Sequence, residues 1–362
     1  LSDLNARVLV IMAGFESPAR AVAADHGIPV IELEPDNQVT GLFELYPKAA
    51  TPLVSKSPVV VNDTALVLHT SGTTSRPKIV PLSHGNLTAS AQHIGETLAL
   101  SANDCCLNIM PLFHIHGLIA AVLASLAAGG SVACTPGFNA LKFFAWMADF
   151  KPTWYTAVPT MHQAILARAS RNRETIDSNP LRFIRSSSSS LPPQVMRELE
   201  DTFSAPVIES YGMTEAAHQM ASNPLPPSSR KPGTVGPAAG PEVAIMDEIG
   251  TVLSAGIIGE IVIRGSNVTQ GYEGNPAANA AAFTKGWFRT GDQGVIDEDG
   301  YLTITGRLKE IINRGGEKIS PREVDEVLMD HPAVAQVVTF AVPHEKLGED
   351  VAVAVVLAEG AD

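Results

Sequence analysis

Apolar runs alternate with helical patterns along most of the chain. Residues 7–13 (RVLVIMA) read as a buried strand, 18–25 as a helix and 29–33 as another strand, the rhythm of βαβ units around a parallel sheet. The run 64–69 (TALVLH) reads as a strand that ends in a Ser/Thr-rich turn. Beyond it the pattern predicts a helix over 86–100, a strand over 105–110 and a helix over 118–128. Further strands follow at 153–157 and 182–186, then a helix over 192–203 and a short strand at 207–209. From Gly233 the character changes: short alternating runs such as VAIM, GEIVIRG and GWFRTGD, closely spaced by Gly and Pro, predict a small β-rich subdomain. Past Gly306 it changes again. Ser320-Pro321-Arg322-Glu323 has the pattern of a capping box, predicting a helix, and strands follow at 334–342 and 351–357.

Length and composition narrow the class. At 362 residues the chain exceeds one ordinary core, and two or three domains are expected. Its 45% hydrophobic and 17% charged residues mark it as globular rather than disordered. A net charge of −13 argues against a nucleic-acid partner, since phosphate binding rests on a basic surface. The three cysteines, Cys105, Cys106 and Cys134, make no disulfide framework and read as a reducing compartment. The segment 117–133 reaches the length of a short spanning helix, but Gly129-Gly130 and the lack of charged flanks favour a buried helix running into a strand. Leu1 follows no initiator Met and the chain stops just past a strand-like run, so both ends read as cut. The pattern sets no oligomeric state.

The chemistry concentrates in a few motifs. In 67–78 (VLHTSGTTSRPK) a strand enters a turn with five Ser/Thr residues, one Gly and two cations. Hydroxyls and backbone N–H groups there can surround phosphate oxygens while Arg76 and Lys78 offset their charge. It is not a Walker loop, and a flexible polar loop is the plain alternative. Downstream come PLFHIHG (111–117), ESYGMTE (209–215), GWFRTGD (286–292) and GRLKEIINRGGEKISP (306–321). In this order the series resembles the core motifs of the adenylate-forming superfamily of acyl-CoA synthetases, peptide-synthetase adenylation domains and luciferases.

That resemblance runs from about Asp63 onward and implies an α/β fold. The N-terminal domain, 1–306, would hold parallel sheets with helices and a small β subdomain from about 232. Residues 307–362 would begin a hinged α+β domain. ATP, Mg²⁺ and coenzyme A are the implied cofactors and a small carboxylic acid the substrate, in the cytoplasm or a peroxisome. The nucleotide would be held by Thr70, Ser71, Gly72, Thr73, Thr74 and Lys78, by Ser188, and by Glu209, Ser210, Tyr211, Gly212 and Thr214. Asp292 and Arg307 would take the ribose. Thr214, Glu215 and His114 would be catalytic, Glu215 supplying the hard oxygen that Mg²⁺ prefers. Lys309 would be the hinge, and the Gly315-Gly316 turn would meet coenzyme A. A further catalytic lysine, usual near this family's C-terminus, is expected beyond Asp362.

Taken alone, several of these residues have ordinary readings. Tyr211 could be a buried ring beside a turn, Gly291-Asp292 a turn and Lys309 a surface charge. His114 and His116 form an H-x-H pair with too few ligands for zinc. The resemblance instead puts His114 at the acid pocket and leaves His116 structural. Many relatives carry Gly-Ala-Ala-Pro where this chain has Ser186-Ser187-Ser188-Ser189-Ser190. Hydroxyls there suit a polar acid, and His218 adds a donor. RFIRSSSSSLPP with YGMTEAAHQMASNPLPP resembles the oxalate–CoA ligases of plants and fungi, which implies that Ser188 and His218 meet a second carboxylate. The alternatives are a ligase for a medium-chain fatty or aryl acid, disfavoured by the Ser run and His218, and a nucleotide-binding regulatory module without turnover, disfavoured by Glu215, Asp292 and Arg307.

Overall fold

The computed structural model describes residues 2–47, 58–70, 77–329, 331–358 and 360, in two compact units, Leu1–Val59 and Val60–Asp362. In the first, β1 (Leu9–Met12) runs parallel to β2 (Val30–Pro35) through α1 (Pro18–Asp25), and β3 (Phe43–Tyr46) returns antiparallel to β2. Helix α1 starts where expected because the Ser17 hydroxyl accepts the Ala19 N–H and Pro18 sits at the first helical position. Strand β1, expected to be buried, instead alternates between half-buried and exposed. A three-stranded sheet with one helix of its own has one covered face.

The second unit opens with the hairpin β4 (Thr64–His69) and β5 (Ile79–Ser83), then α2 (His84–Thr97), capped reciprocally by Ser83 and Asn86. Its main sheet is built from β6 (Cys105–Asn108), β7 (Ser131–Cys134), β8 (Trp154–Ala157), β9 (Phe183–Ser186), β10 (Val207–Met213) and β11 (His218–Ser222). The order is β11-β10-β9-β8-β6-β7, parallel except for the β10–β11 pair. The helices between these strands are α3 (Ala124–Ala127), α4 (Phe143–Phe150), α5 (Pro159–Ala169), α6 (Arg173–Ser178) and α7 (Pro193–Phe203).

Burial on both sheet faces explains the near-continuous apolar strands. Successive residues point to opposite faces. Cys106, Trp154, Phe183 and Ile208 therefore enter a core shared with α2 and the helix after β6. Their neighbours Leu107, Tyr155, Ile184 and Val207 enter a second core with α4, α5 and α7. Burying a side chain of this size stabilises the fold by about 1.5–3 kcal/mol, so this alternation sets which strand residues remain for chemistry at the sheet's carboxyl edge.

A β-rich sheet follows, from β12 (Glu242–Met246), β13 (Gly259–Arg264), α8 (Pro276–Ala282), β14 (Phe283–Thr284), β15 (Trp287–Ile296) and β16 (Leu302–Arg307). Last comes a four-stranded sheet of β17 (Ile312–Arg314), β18 (Glu317–Ile319), β19 (Val334–His344) and β20 (Gly348–Leu357), with α9 (Pro321–Met329). The boundary expected after residue 306 lies one residue before the end of β16, and the last sheet begins at Ile312.

Three expectations need correction. The helix expected over 118–128 begins as a π-helix, His116–Leu123, before α3, and such wide turns are frequent at functional sites. The strand expected over 207–209 runs on to Met213, because β11 supplies an antiparallel partner for Ser210 through Met213. Ser320, expected to cap α9, uses its hydroxyl to donate to the Thr305 carbonyl and so ties α9 to β16. Among the described residues no helix is long and apolar enough to cross a membrane.

Candidate functional site

The carboxyl ends of β8, β9 and β10 converge with the start of the π-helix, where ligands of open α/β sheets bind. Arg185 is the penultimate residue of β9 and is paired in register with Thr156 of β8 and Ile208 of β10. It shares the face of Phe183, so its guanidinium is drawn beneath the sheet edge and is completely buried. Its Nη2 donates to His218 Nε2 at 3.1 Å and to Gln219 Oε1 at 3.3 Å, and Nη1 lies 3.4 Å from His116 Nε2. Nε has no partner, and no carboxylate pairs with it among the described residues. Burial pushes this guanidinium down to about 9, which leaves it charged at neutral pH.

His116, expected to be structural, lies inside this cluster. Its ring is fully buried, 3.0 Å from Ser188 Oγ and 2.6 Å from Thr156 Oγ1, and stacks on His218 at a centroid distance of 5.0 Å. Burial, and then the Arg185 charge, hold both imidazoles well below the usual histidine range. His114 stands exposed on the preceding turn, and its Nδ1 accepts the His116 N–H at 3.2 Å. Ser188 and His218, the two residues expected to meet the acid, both carry positive φ angles, 72° and 101°. Such strain in non-glycine residues costs about 1–3 kcal/mol and gathers at functional sites.

The residues expected to meet adenosine lie on β10 and the β-rich sheet. Glu209, Ser210, Tyr211 and Gly212 are consecutive in β10. The Tyr211 hydroxyl donates to Asp292 Oδ2, while Arg307, opposite Asp292 in register, holds Oδ1 at 3.3 Å. Burial holds the Asp292 carboxyl above its ordinary range, and these two partners offset only part of that rise. Gly212 is required by close approach: a Cβ there would lie 2.0 Å from the His218 carbonyl oxygen. Glu209 is buried, with Oε1 taking the Leu191 N–H at 3.0 Å and Oε2 unpartnered among the described residues, and burial pushes it up to about 7.

Thr214 and Glu215 form the turn after β10. Glu215 Oε1 accepts from the Tyr272 hydroxyl at 2.8 Å, and Oε2 has no hydrogen bond among the described residues. Lys78 places Nζ 4.3 Å from the centre of the same Tyr272 ring. Thr70 and Lys78 close the neck of the Ser/Thr-rich loop, the Thr70 N–H donating to the Lys78 carbonyl at 3.0 Å. Ser71, Gly72, Thr73, Thr74 and Arg76 lie outside the described residues. Lys309 is exposed in the turn between β16 and β17. Gly315 and Gly316, with φ of 61° and 99°, make the tight turn of the β17–β18 hairpin, which needs positive φ at both positions.

Sequence reasoning passed over Arg185 and Tyr272, and read His116 as structural. The signal for Arg185 was available: in FIRS it shares strand parity with Phe183, on a strand expected to be interior. Tyr272 lies in a Gly-rich loop that carried no recognised motif.

A profile of the AMP-binding enzyme family matches residues 1–273. A probable CoA ligase of Humulus lupulus, CCL9, is 49% identical across the whole chain and 70% of its own length. An oxalate–CoA ligase of Arabidopsis thaliana is 53% identical over 83% of the chain, and the match spans 59% of that enzyme's length. The ATP-bound crystal structure of MatB from Rhodopseudomonas palustris, 33% identical, superposes with a TM-score of 0.85 over 99% of this chain and 71% of that one. With the motif order and the geometry above, these matches make the chain a member of the AMP-binding enzyme family.

Proposed function

We propose that the protein is an ATP-dependent acid–thiol ligase that activates a small dicarboxylic acid, with oxalate as substrate, and transfers the acyl group to coenzyme A. The observation that carries the acid class is Arg185, a buried charge without a carboxylate partner among the described residues, beneath Ser188 and His218. An uncompensated buried charge costs several kcal/mol. A second carboxylate on the substrate supplies the missing anion, whereas an alkyl or aryl tail would bury polar groups unmet. The name of the Arabidopsis relative points the same way.

A free carboxylate is a poor acyl donor because a thiol would have to expel oxide. In the first step a carboxylate oxygen attacks the α-phosphorus of ATP, the bond to the bridging oxygen breaks and pyrophosphate leaves. In the second, the thiol sulfur attacks the acyl carbon, AMP departs with the oxygen and the thiol proton passes to solvent. Alignment and charge neutralisation do most of the catalytic work. Asp292 and Arg307 take the ribose, Tyr211 the adenine, and the loop closed by Thr70 and Lys78 the phosphates. Among the described residues no three His, Cys, Asp or Glu side chains cluster to hold a metal. A single carboxylate with an open oxygen, as at Glu215, fits Mg²⁺ arriving on nucleotide phosphates. When bound, the ion would neutralise charge developing on the phosphates.

Rotation at Lys309 would exchange the adenylation arrangement for one that brings the Gly315-Gly316 turn to coenzyme A. Proline at this position fixes φ without touching the nucleotide. Lys309→Pro should therefore slow thioester formation at least tenfold more than adenylation, and equal loss in both half-reactions would remove the hinge assignment. The acid class is tested by pyrophosphate release from the whole protein with oxalate, hexanoate and coumarate. Preference for either of the last two overturns the dicarboxylate assignment.

A further inference from the structure

We propose that Arg185 is a positioning residue that locks His116 and His218 in the tautomer protonated at Nδ1, so that Ser188 and His218 present hydrogen-bond donors to an anionic substrate. The proposal rests on the acid pocket described above and adds the residue that sets its polarity.

A guanidinium has only donors. The ring nitrogen that receives it must therefore offer a lone pair, and the proton of a neutral imidazole goes to the other nitrogen. At His218 the receiving atom is Nε2, 3.1 Å from Arg185 Nη2, which leaves Nδ1–H. That atom has no hydrogen bond among the described residues. At His116 the receiving atom is again Nε2, with Arg185 Nη1 at 3.4 Å and the Thr156 hydroxyl donating at 2.6 Å. His116 Nδ1–H then donates to Ser188 Oγ at 3.0 Å. Ser188 has thereby used an acceptor position, and its own O–H is left to donate outward.

The lock has several supports. Gln219 receives Arg185 through Oε1 because its Nε2 is committed to Thr97 Oγ1 and the Ala239 carbonyl, so its amide orientation agrees with the donor role of Arg185. The histidine rings stack with planes 18° apart, an arrangement that two imidazolium ions would resist. The charged and titratable groups facing the pair are Arg185 from β9, His114 from the turn before the π-helix and, for His116, His162 from α5. All are cationic or neutral, so both rings stay uncharged near neutral pH. Each imidazole thus relays the donor character of the buried guanidinium outward.

Two measurements test this. In whole protein labelled with ¹⁵N-histidine, two-bond ¹H–¹⁵N spectra should show His116 and His218 protonated at Nδ1, with His114, whose Nδ1 accepts the His116 N–H, protonated at Nε2. An Nε2–H signal for His218 overturns the proposal. In kinetics, Arg185→Met should raise the KM for oxalate roughly tenfold to a hundredfold and leave the KM for ATP within about twofold. Arg185→Lys, which retains charge but lacks the fork, should recover part of the loss. An unchanged oxalate KM in the Met variant refutes the lock. If that variant does not fold, the wild-type spectrum decides. A wild-type enzyme that rejects oxalate yet shows the Nδ1 tautomers would overturn the acid class and leave the lock standing.

Discussion

The proposed acid pocket and the proposed adenosine side of the site meet buried polarity in opposite ways. On the adenosine side, carboxylates are answered within the protein: Asp292 by Tyr211 and Arg307, Glu215 by Tyr272. In the acid pocket a buried cation is answered, among the described residues, by the neutral acceptors His218, His116 and Gln219. The first arrangement exchanges one set of hydrogen bonds for another when nucleotide arrives. The second has an electrostatic deficit that only an anion can fill. Discrimination among acids should therefore depend on charge more than shape, whereas nucleotide affinity should depend on geometry.

Removing a carboxylate from the adenosine side is the most severe way to probe this contrast. Glu215→Gln keeps the shape and the Tyr272 contact but lacks the charge for Mg²⁺. Metal stabilisation of developing charge is worth several kcal/mol, so adenylation should slow about a hundredfold to a thousandfold with the melting temperature unchanged. An unchanged rate of pyrophosphate release would remove its metal role. On the acid side, His218→Ala deletes one donor to a charged partner, worth about 1.5–3 kcal/mol. The KM for oxalate should rise roughly tenfold to a hundredfold while ATP affinity holds. Equal loss for both substrates would erase the distinction between the two regions.

The smallest effect concerns Glu209, the exception on β10, whose Oε2 has no partner among the described residues. Burial raises this carboxyl from 4.5 to about 7, with the Leu191 N–H and then Arg322 lowering it and Glu326 opposing them. A raised folded-state value means that the group contributes stability below pH 4.5, and that this contribution is lost as pH rises through 7. Glu209→Gln cannot titrate. Relative to wild type it should melt a few degrees higher at pH 8 than the same comparison gives at pH 5. Parallel pH curves for the two proteins would show that Glu209 is not the group responsible.

Much of the architecture was legible because local chemistry agreed with the fold. Helix α1 was marked by Ser17 and Pro18, and β4 by a clean apolar run into a polar turn. Strand β10 was read too short because Ser-Tyr-Gly looks like a turn until β11 pairs with it. Ser188 and His218 were recognised in the sequence, and the structure brings both to the same cluster. Arg185 was passed over because depth is a tertiary property: an Arg at a strand end usually points to water. The place of His116 beside Arg185 was hidden for a related reason, since its neighbours Thr156 and Ser188 lie 40 and 72 residues away in sequence.

One hairpin ties the two regions together. Tyr211, Thr214, Glu215 and His218 span eight residues of β10, its turn and β11, with Met213 paired to His218 and a register shift at Tyr211/Gly212. The residues assigned to adenine, metal and acid are thus held by one short stretch of backbone rather than by separable modules. An engineer who transplants the serine run alone to change acid preference would leave its partner histidine behind. Transplanting the histidine with its positive φ would disturb the nucleotide residues beside it. Specificity in this protein should therefore be inherited as a block: the end of β9 together with the whole β10–β11 hairpin.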